Sequence, residues 1–144
     1  MTMTARYLAD PLQQLTHAYK GYLRRSIQKA GIALPITHVR ALRGIAHSTD
    51  CTAFGLSSHM RRDKAQITRV LNDLLDAALI SKREHPRDRR SQLLELTPAG
   101  QAIVQQMLEL DAQATRHMTE GLEPEQINAF IHLARHMTDR LNDR

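Results

Sequence analysis

Cysteine occurs only once in this sequence, at Cys51. A single cysteine excludes an intrachain disulfide and every metal-binding motif that is built from several cysteines. The first ten residues are polar and lack the apolar core of a secretion signal. No apolar run approaches the ~20 residues that are needed to cross a bilayer. These absences together predict a protein that works in the reducing cytoplasm.

Aromatic residues are also scarce, at 3% of the 144 residues, and tryptophan is absent. Leu, Ile, Val, Ala and Met must therefore fill the core, for which a hydrophobic content of 42% is sufficient. Because Leu, Ala, Met, Gln and Arg are good helix formers, this composition favours packed helices. The length of the chain predicts a single domain over residues 1–144.

Catalytic motifs are missing as well. The sequence contains no glycine-rich phosphate loop and no Gly-x-Ser-x-Gly nucleophile elbow. Its single cysteine and its scattered histidines form no catalytic or metal-ligating constellation. We therefore expect no enzymatic activity, no cofactor and no bound metal.

Positive charge is present in excess and is concentrated in one stretch. The formal net charge is +5, and the segment from Arg61 to Arg90 holds nine basic and five acidic residues. The rest of the chain holds eleven basic and ten acidic residues, so the segment carries nearly all of the surplus. A basic stretch of this kind favours a polyanionic partner such as a nucleic acid.

Apolar residues at helical spacing predict the helices that precede this stretch. Asp10 and Pro11 are placed to cap and open the first helix, and Gly31 is placed to end it. A second helix is predicted from about Thr37 to His47. The first helix would lie within residues 8–31, and its apolar stripe includes Leu12, Leu15, Tyr19, Tyr22 and Ile27.

Two further helices are predicted within and just before the basic segment. Thr52 is the predicted cap of a short third helix that ends near Met60. Asp63 is the predicted cap of a fourth helix, whose apolar positions extend to Ala78.

The period of the apolar residues changes after Ala78. Residues 79–84 and 91–96 are predicted to be short strands, joined by the polar, proline-containing loop 85–90. Thr97 and Pro98 open a fifth helix that Gly121 breaks, and Pro124 opens a sixth. The fold class is therefore mainly α with a small β-hairpin. A helix pair followed by a basic hairpin is typical of a winged helix-turn-helix, here about 36–97.

The fourth helix has the side chains that a recognition helix needs. Its apolar positions share one face, and the opposite face presents Ala65, Gln66, Thr68, Arg69 and Asn72. Gln and Asn pair with adenine, Arg pairs with guanine, and Thr offers a hydroxyl or a methyl group. An ordinary solvated face is the alternative interpretation of this helix taken alone.

The hairpin tip favours the DNA-binding interpretation. Arg87, Arg89 and Arg90 repel one another there and gain no burial, whereas a narrow minor groove attracts inserted arginine. Asp88 lies among them and is expected to orient one guanidinium by a charge-assisted hydrogen bond. A solvated loop with weak surface ion pairs is the alternative.

At this point the sequence resembles the multiple-antibiotic-resistance regulator (MarR) family. The most diagnostic part is the Asp-x-Arg of the hairpin followed by Leu-Thr-x-x-Gly. The matching residues are Thr52, Leu56, Asp63, Ile67, Thr68, Arg69, Leu74, Leu79, Ile80, Asp88, Arg89, Arg90, Leu96, Thr97, Pro98, Ala99 and Gly100.

The resemblance implies a cytoplasmic transcription regulator, typically a repressor, that binds double-stranded pseudo-palindromic DNA as a two-fold dimer. Its recognition helices would enter successive major grooves, with Arg90 in the minor groove and Asp88 steadying it. The predicted DNA-binding residues are Arg61, Arg62, Lys64, Ala65, Gln66, Thr68, Arg69, Asn72, Arg87, Asp88, Arg89 and Arg90.

The chain departs from the family pattern at three positions. Arg61 and Arg62 stand where family members usually have glycine and an apolar residue, and Ala78 stands where they usually have glycine. Because arginine tolerates a positive φ poorly, we expect a reshaped turn before the fourth helix. The two arginines would add affinity for phosphate.

Helices outside the winged core are predicted to form the dimer. Neither the first helix nor the helices within 98–143 have enough partner surface in one small subunit, so burial across a two-fold axis is expected. The last helix has an apolar spacing of 3, 4, 3, 4, which is typical of a coiled-coil seam. The predicted dimer contacts are Leu12, Leu15, Tyr19, Ile127, Phe130, Ala134, Met137 and Leu141.

The effector is less well indicated. The family resemblance implies a small aromatic acid, for which His17, Tyr19 and Tyr22 are candidate pocket residues, although both tyrosines also suit a dimer interface. Cys51 is expected to be a packing or inert cysteine rather than a redox sensor. His132 and His136 share a helix face but lack further ligands, so a solvated face is favoured over zinc.

Two other functions remain open at this point. A non-specific architectural DNA-binding protein would also be basic, but the polar face at Gln66, Arg69 and Asn72 favours sequence reading. A redox- or metal-responsive regulator of the same fold is the second alternative. A protein-interaction module that uses the terminal helices is disfavoured by the concentrated charge of the central stretch.

Overall fold

The computed structural model describes residues 3–143, with side chains from residue 7 onward; the ends of the predicted 1–144 domain lie outside that range. Six helices and one antiparallel hairpin confirm the predicted mainly α fold class. The elements are α1 (Met3–Lys29), α2 (Ile36–His47), α3 (Ala53–Met60), α4 (Lys64–Asp76), β1 (Ile80–Glu84), β2 (Gln92–Leu96), α5 (Pro98–Met118) and α6 (Pro124–Asn142).

The start of the first helix was predicted wrongly. Pro11 lies inside α1, which begins at Met3 and ends at Lys29 instead of occupying the predicted 8–31. The segment before Pro11 is rich in Met, Ala, Arg and Leu, which are strong helix formers and extend the helix toward the N-terminus. An internal proline removes one backbone hydrogen bond and crowds the carbonyl four residues before it, yet the helix continues through Pro11. Gly31 follows the helix end with a φ of +73°.

Capping side chains begin α3 and α5 where the sequence predicts them. The hydroxyl oxygen of Thr52 accepts a hydrogen bond from the Gly55 N–H at 3.1 Å. Thr97 caps α5 in the same way, at 3.2 Å from the Gly100 nitrogen, and its hydroxyl also donates to the Ala78 carbonyl. Each cap satisfies a backbone donor that the first helical turn leaves unpaired.

Residues 3–110 form one compact unit. Its main core joins α2, α3, α4, the hairpin and α5, and is lined by aliphatic side chains such as Leu42, Leu56, Ile67 and Leu74. A smaller cluster packs Ile27 of α1 against Val39 and Met107. Across residues 3–143, no helix combines the length and the hydropathy that a membrane crossing requires.

The hairpin is anchored to this core. Ile80 pairs with Leu96 and Glu84 with Gln92, so β1 and β2 are in register over their full length. The Leu94 N–H also donates to the Cys51 carbonyl at 2.8 Å, which ties β2 to the segment before α3. The base of the hairpin is therefore held by buried backbone contacts while its tip extends into solvent.

Ala78 was predicted to belong to the fourth helix, but the structure places it beyond the helix end. The α4 helix ends at Asp76, and Ala78 has a φ of +57°. This left-handed residue turns the chain from α4 into β1, and it brings the Leu79 N–H within 3.0 Å of the Leu74 carbonyl. A short turn into a hairpin needs this conformation, whichever residue stands there.

Residues 111–143 form a second unit that contains the end of α5 and all of α6. Gly121, at φ +81°, separates the two helices, as predicted. The Gln126 side-chain oxygen accepts from the Glu123 N–H at 2.9 Å, and Pro124 is the first residue of α6. No described residue of α6 is buried in the chain.

Candidate nucleic-acid interface

The α4 helix is amphipathic in the predicted sense. Ile67, Val70, Leu71 and Leu74 are buried in the core. The carboxylate of Asp63 caps the helix by accepting from the Gln66 N–H at 2.8 Å, which fixes its first turn. The predicted reading face is exposed to solvent along its length and consists of Ala65, Gln66, Thr68, Arg69 and Asn72.

The reshaped turn that was expected before α4 is not found, although Arg61 stands where family members usually have glycine. Arg61 has φ 52° and ψ 42°, the left-handed conformation that glycine usually supplies. Backbone hydrogen bonds from Arg61 to Ser58 and from Arg62 to Ser57 close the turn, and the Ser57 hydroxyl donates back to the Arg62 carbonyl at 2.7 Å. The turn is therefore a compact helix end, and both guanidinium groups are exposed beside α4.

The hairpin tip is held by its own side chains. Asp88 was expected to orient a guanidinium, but its carboxylate instead accepts from the Arg90 N–H at 3.0 Å and from the Ser91 hydroxyl at 3.2 Å. A carboxylate two residues before a backbone N–H reaches it more easily than a long, solvated guanidinium. The guanidinium groups of Arg87, Arg89 and Arg90 are exposed.

His85 was not singled out from sequence, but it organises the start of the same loop. Its Nδ1 accepts hydrogen bonds from the N–H groups of Arg87 and Asp88, at 3.0 and 3.1 Å. The His-Pro pair before the arginines was the available signal, because a side-chain acceptor before a turn often captures the following donors. Arg83 and Glu95 form an ion pair across the strands below the tip.

A cleft lies on the side of α4 that faces α2, and we call it the α2 cleft. It has a volume of about 280 Å³. His38 closes part of it, because its Nε2 lies 2.9 Å from a carboxylate oxygen of Asp73 and so links α2 to α4. The residues that line it are Pro35, Thr37, His38, Arg62, Gln66, Arg69, Val70 and Asp73.

A second cleft, which we call the wing cleft, lies between α4 and the hairpin. It has a volume of about 410 Å³ and contains four cationic side chains. Phe54, at the start of α3, borders it with 82% of its surface exposed. The residues that line it are Thr52, Ala53, Phe54, Lys64, Thr68, Leu71, Asn72, Lys82, Arg89, Arg90, Ser91, Gln92 and Leu94.

The two clefts together collect most of the predicted DNA-binding residues. Arg62, Gln66 and Arg69 line the α2 cleft, whereas Lys64, Thr68, Asn72, Arg89 and Arg90 line the wing cleft. Arg61, Ala65, Arg87 and Asp88 are exposed but line neither cleft. The clefts are also lined by side chains that were not singled out from sequence, because they lie outside the recognition helix and the hairpin tip: Thr37, His38, Phe54, Lys82 and Gln92.

Cys51 lies behind this surface, in the core. Only 6% of the residue is exposed, and its thiol lies 3.8 Å from the Thr52 carbonyl oxygen. Burial raises the pKa of the thiol above its ordinary value, and a hydrogen bond with Ser48 opposes the shift only in part. A buried thiol that keeps its proton is a poor nucleophile, which agrees with the predicted packing role.

The predicted effector residues do not line the apolar cavity that borders α1. This cavity has a volume of about 680 Å³ and lies between the second half of α1 and the start of α2. His17 and Tyr19 are exposed on α1, and Tyr22 is half-buried. The cavity is lined instead by Lys20, Leu23, Arg24, Ile27, Gln28, Ile32, Leu34, Ile36 and Arg40.

The His132 and His136 side chains are both exposed on α6. Within residues 3–143, the structure contains no group of three or more His, Cys, Asp or Glu side chains that is arranged to hold a metal ion.

Comparison with known proteins agrees with this geometry. Residues 34–92, which contain α2, α3, α4 and β1, match the family model described as the MarR family. Over these residues the chain matches the winged helix-turn-helix of the MarR family. The resemblance predicted from sequence is thus confirmed. No curated protein matches the chain in sequence.

Solved MarR-type structures share the fold over nearly the whole chain. AbsC, a MarR family transcriptional regulator from Streptomyces coelicolor, has a TM-score of 0.80 at 17% identity, over 100% of this chain and 98% of that one. A mutant MarR from E. coli complexed with operator DNA has a TM-score of 0.68 at 21% identity, over 95% and 99%. BpsR from Bordetella bronchiseptica, whose DNA binding is regulated by 6-hydroxynicotinic acid, has a TM-score of 0.72 at 24% identity, over 91% and 92%.

Proposed function

We propose that this MarR-family chain is a homodimeric transcription regulator that reads a specific double-stranded DNA sequence and represses genes in the cytoplasm. The observation that carries the proposal is the exposed polar face of α4 beside a basic hairpin. Gln66, Arg69 and Asn72 have hydrogen-bonding groups that suit base edges. Arg89 and Arg90 of the hairpin tip line the same cleft as Asn72.

A non-specific architectural role is the competing function. Such a protein needs only cations toward the phosphates, and its affinity is nearly independent of sequence. The amide side chains on α4 favour sequence reading, because they add little to phosphate binding but discriminate between bases.

Selection of bound duplexes from a random pool tests the proposal directly. We expect enrichment of a pseudo-palindrome whose half-sites lie about one helical turn, ~34–36 Å, apart or a multiple of it. A protein that retains DNA but enriches no sequence would be architectural. A protein that retains no DNA at low salt would contradict the proposal.

We further propose that an aromatic or other apolar carboxylate regulates this DNA binding. The large α1–α2 cavity supports an acid of this class, because leucine and isoleucine side chains line it while Lys20, Arg24 and Arg40 supply positive charge. A BpsR structure with the same fold comes from a protein regulated by an aromatic acid. The ligand would release DNA by favouring a dimer whose recognition helices have the wrong spacing.

Anisotropy titration of a selected duplex tests this regulation, with salicylate and 6-hydroxynicotinate at millimolar concentration as probes. We expect weaker DNA binding, and the Arg24→Ala variant should lose the response while it keeps its DNA affinity. Because His17, Tyr19 and Tyr22 lie outside the cavity, His17→Ala serves as a control that retains the response. Unchanged DNA affinity with both acids would contradict the proposal.

A further inference from the structure

We propose that a cleft between α2 and α3 binds a small, multiply charged anion that carries a diphosphate group. We call it the α2–α3 cleft, and its volume is about 240 Å³. The residues that line it are Arg40, Arg43, Gly44, His47, His59 and Met60. The proposal goes beyond the DNA-binding function, because it concerns a different face of the chain and a different class of ligand.

The α2 helix presents three basic side chains on one face. Arg40, Arg43 and His47 are three and four residues apart, so at about 100° per residue they lie within an arc of about 60°. Arg40 and His47 are exposed, and Arg43 is half-buried. Because α2 contains no acidic residue, no carboxylate of the same helix offsets their charge.

A close approach of α3 to α2 at Gly44 adds a fourth basic group. A Cβ at Gly44 would lie 2.7 Å from the Cδ1 atom of Leu56, so a larger residue would displace this buried side chain. The same Cβ would lie 4.0 Å from the Cδ2 atom of His59, which is exposed near the end of α3. The imidazole of His59 is therefore beside the basic face of α2, and N–H groups from two helices surround one cleft.

No acid is among the described residues that line the α2–α3 cleft. The acids nearest to it in sequence are placed elsewhere, because Asp63 caps α4 and Asp50 lines a different cleft beside β2. Arginine keeps its positive charge at any physiological pH, and an imidazole donates an N–H whether it is neutral or protonated. Like charges on neighbouring helical turns repel one another, and a bound anion would relieve that repulsion.

The lining favours a compact anion of high charge over an aromatic acid. Guanidinium groups pair bidentately with phosphate and carboxylate oxygens. A carboxylate brings one charge and two oxygens, whereas a diphosphate brings several charges and enough oxygens for four basic side chains. Met60 is the apolar side chain among the described lining residues, and the leucine and isoleucine walls of the α1–α2 cavity have no counterpart among them. An aromatic ring would therefore find little apolar contact here.

The α2–α3 cleft lies apart from the proposed DNA-binding surface. On α2, His38 is about 160° around the helix from Arg40, and it contacts Asp73 of α4. The side of α2 that faces α4 is thus opposite to the side that carries the basic face. The α2 cleft and the wing cleft share no lining residue with the α2–α3 cleft, whereas the α1–α2 cavity shares Arg40.

Isothermal titration calorimetry of the full chain at low ionic strength tests the site, with pyrophosphate and ADP as separate probes. Arg40→Ala and His59→Ala each remove one lining group, one from α2 and one from α3. Arg24→Ala is the matched control for Arg40→Ala, because both arginines line the α1–α2 cavity but only Arg40 lines the α2–α3 cleft. Arg62→Ala controls for anion binding on the proposed DNA-binding surface. Thermal melts without ligand check that each variant is folded.

We expect the wild-type chain to bind one pyrophosphate per chain. Arg40→Ala should weaken this binding about tenfold and His59→Ala about threefold or more, while Arg24→Ala and Arg62→Ala keep the wild-type affinity. ADP binding with the same dependence on Arg40 and His59 would identify a nucleotide diphosphate as the occupant, and binding of pyrophosphate alone would identify the free anion. A loss in Arg24→Ala or in Arg62→Ala that equals the loss in Arg40→Ala would place the anion elsewhere and overturn the proposal. A wild-type chain that binds no pyrophosphate at millimolar concentration would overturn it as well, without bearing on the proposed DNA binding.

Discussion

The carboxylate of Asp88 accepts a hydrogen bond from the backbone N–H of Arg90 at 3.0 Å. Together with its bond to the Ser91 hydroxyl, this contact makes the acid part of the loop that carries the arginines. The negative charge in the middle of a basic tip thus has a structural reason, because it fixes the backbone from which the Arg90 side chain extends.

Substitution of Asp88 separates this structural role from its charge. Loss of a negative charge alone would strengthen DNA binding in both Asp88→Ala and Asp88→Asn. If the hydrogen bond matters more, Asp88→Ala should weaken binding by several-fold, whereas Asp88→Asn keeps an acceptor oxygen and should retain the affinity. Fluorescence anisotropy at two salt concentrations measures both variants, and tighter binding by the alanine variant would contradict the structural role.

Arg90 and Arg69 are expected to act differently. Arg90→Ala should reduce the slope of log K against log salt by about one unit on any duplex, with little loss of stability. Arg69→Ala should cost about 1–3 kcal/mol on the selected site and less on random DNA if the side chain reads a base. Because Arg69 also lines the α2 cleft, equal losses on both duplexes would assign it to a phosphate.

Much of the α4 surface was predictable because it depends on interactions between residues that are close in sequence. Asp63 and Thr52 are caps whose hydrogen bonds reach only three residues along the chain, and the apolar face of α4 follows from helical spacing alone. Arg61 and Ala78 differ, because their left-handed conformations are set by the elements that follow them and not by their own preferences. Pro11 misled the prediction, because the sequence signal for a first helical residue does not exclude a longer helix.

The parts of the site that depend on distant segments were not predictable. His38 and Asp73 are 35 residues apart, and their contact exists only because α2 packs beside α4. The apolar cavity forms where residues 32–36 pack back against α1. Because the sequence of α1 alone does not show this contact, the prediction named His17, Tyr19 and Tyr22 instead. Phe54 showed no pattern in the sequence, and only its exposure beside four cations marks it.

The buried thiol of Cys51 should make the free energy of unfolding fall at alkaline pH. Burial raises the pKa of the thiol in the folded chain above its unfolded value. Below the pKa of the thiol in the unfolded chain, ~8.5, the thiol is neutral in both states, and the free energy of unfolding has its full value. As the pH rises further, the thiol of the unfolded chain loses its proton first. The free energy of unfolding therefore falls until the pH reaches the pKa of the thiol in the folded chain.

Urea unfolding of the wild type and of Cys51→Ala between pH 7 and about pH 10 measures this contribution. The free energy of unfolding of the wild type should fall more steeply with pH than that of the variant. If the free energies of unfolding of the wild type and the variant fell in parallel with pH, the titration of the Cys51 thiol would not contribute. Rapid oxidation of the thiol by peroxide at neutral pH would favour the redox-responsive alternative.

Replacing a glycine at one position and introducing a glycine at another should change the stability of the fold in opposite directions. A Cβ at Gly100 would lie 2.1 Å from the Leu79 carbonyl oxygen, which is backbone and cannot move freely. Gly100→Ala should therefore destabilise the chain by about 3 kcal/mol. Ala78→Gly relieves a left-handed alanine and should stabilise it by about 0.5 kcal/mol after the entropy of the unfolded glycine is subtracted. Thermal melts of both variants measure the difference, and a shift of the same sign in both would contradict it.

The exposed apolar faces of α1 and α6 lead to the last prediction, that the chain is a dimer. On α6, Phe130 is 55% and Leu141 is 82% exposed, and they lie on one face with Ala134 and Met137. On α1, Leu12, Leu15 and Tyr19 form a similar exposed stripe. Such surfaces in a small chain are buried most economically across a two-fold axis, which would also set the spacing between two recognition helices.

The double substitution Phe130→Glu and Leu141→Glu tests this dimer, because both side chains are exposed in the single chain and their loss leaves its core intact. Light scattering should show a dimer for the wild type at micromolar concentration and a monomer for the variant. The monomer engages one half-site at a time, so its affinity for the selected duplex should fall about tenfold or more. Phe54→Ala removes another exposed phenylalanine and should remain dimeric, which separates the seam on α6 from exposed aromatic surface in general. A wild-type chain that scatters as a monomer at this concentration would contradict the dimer and the half-site spacing that depends on it.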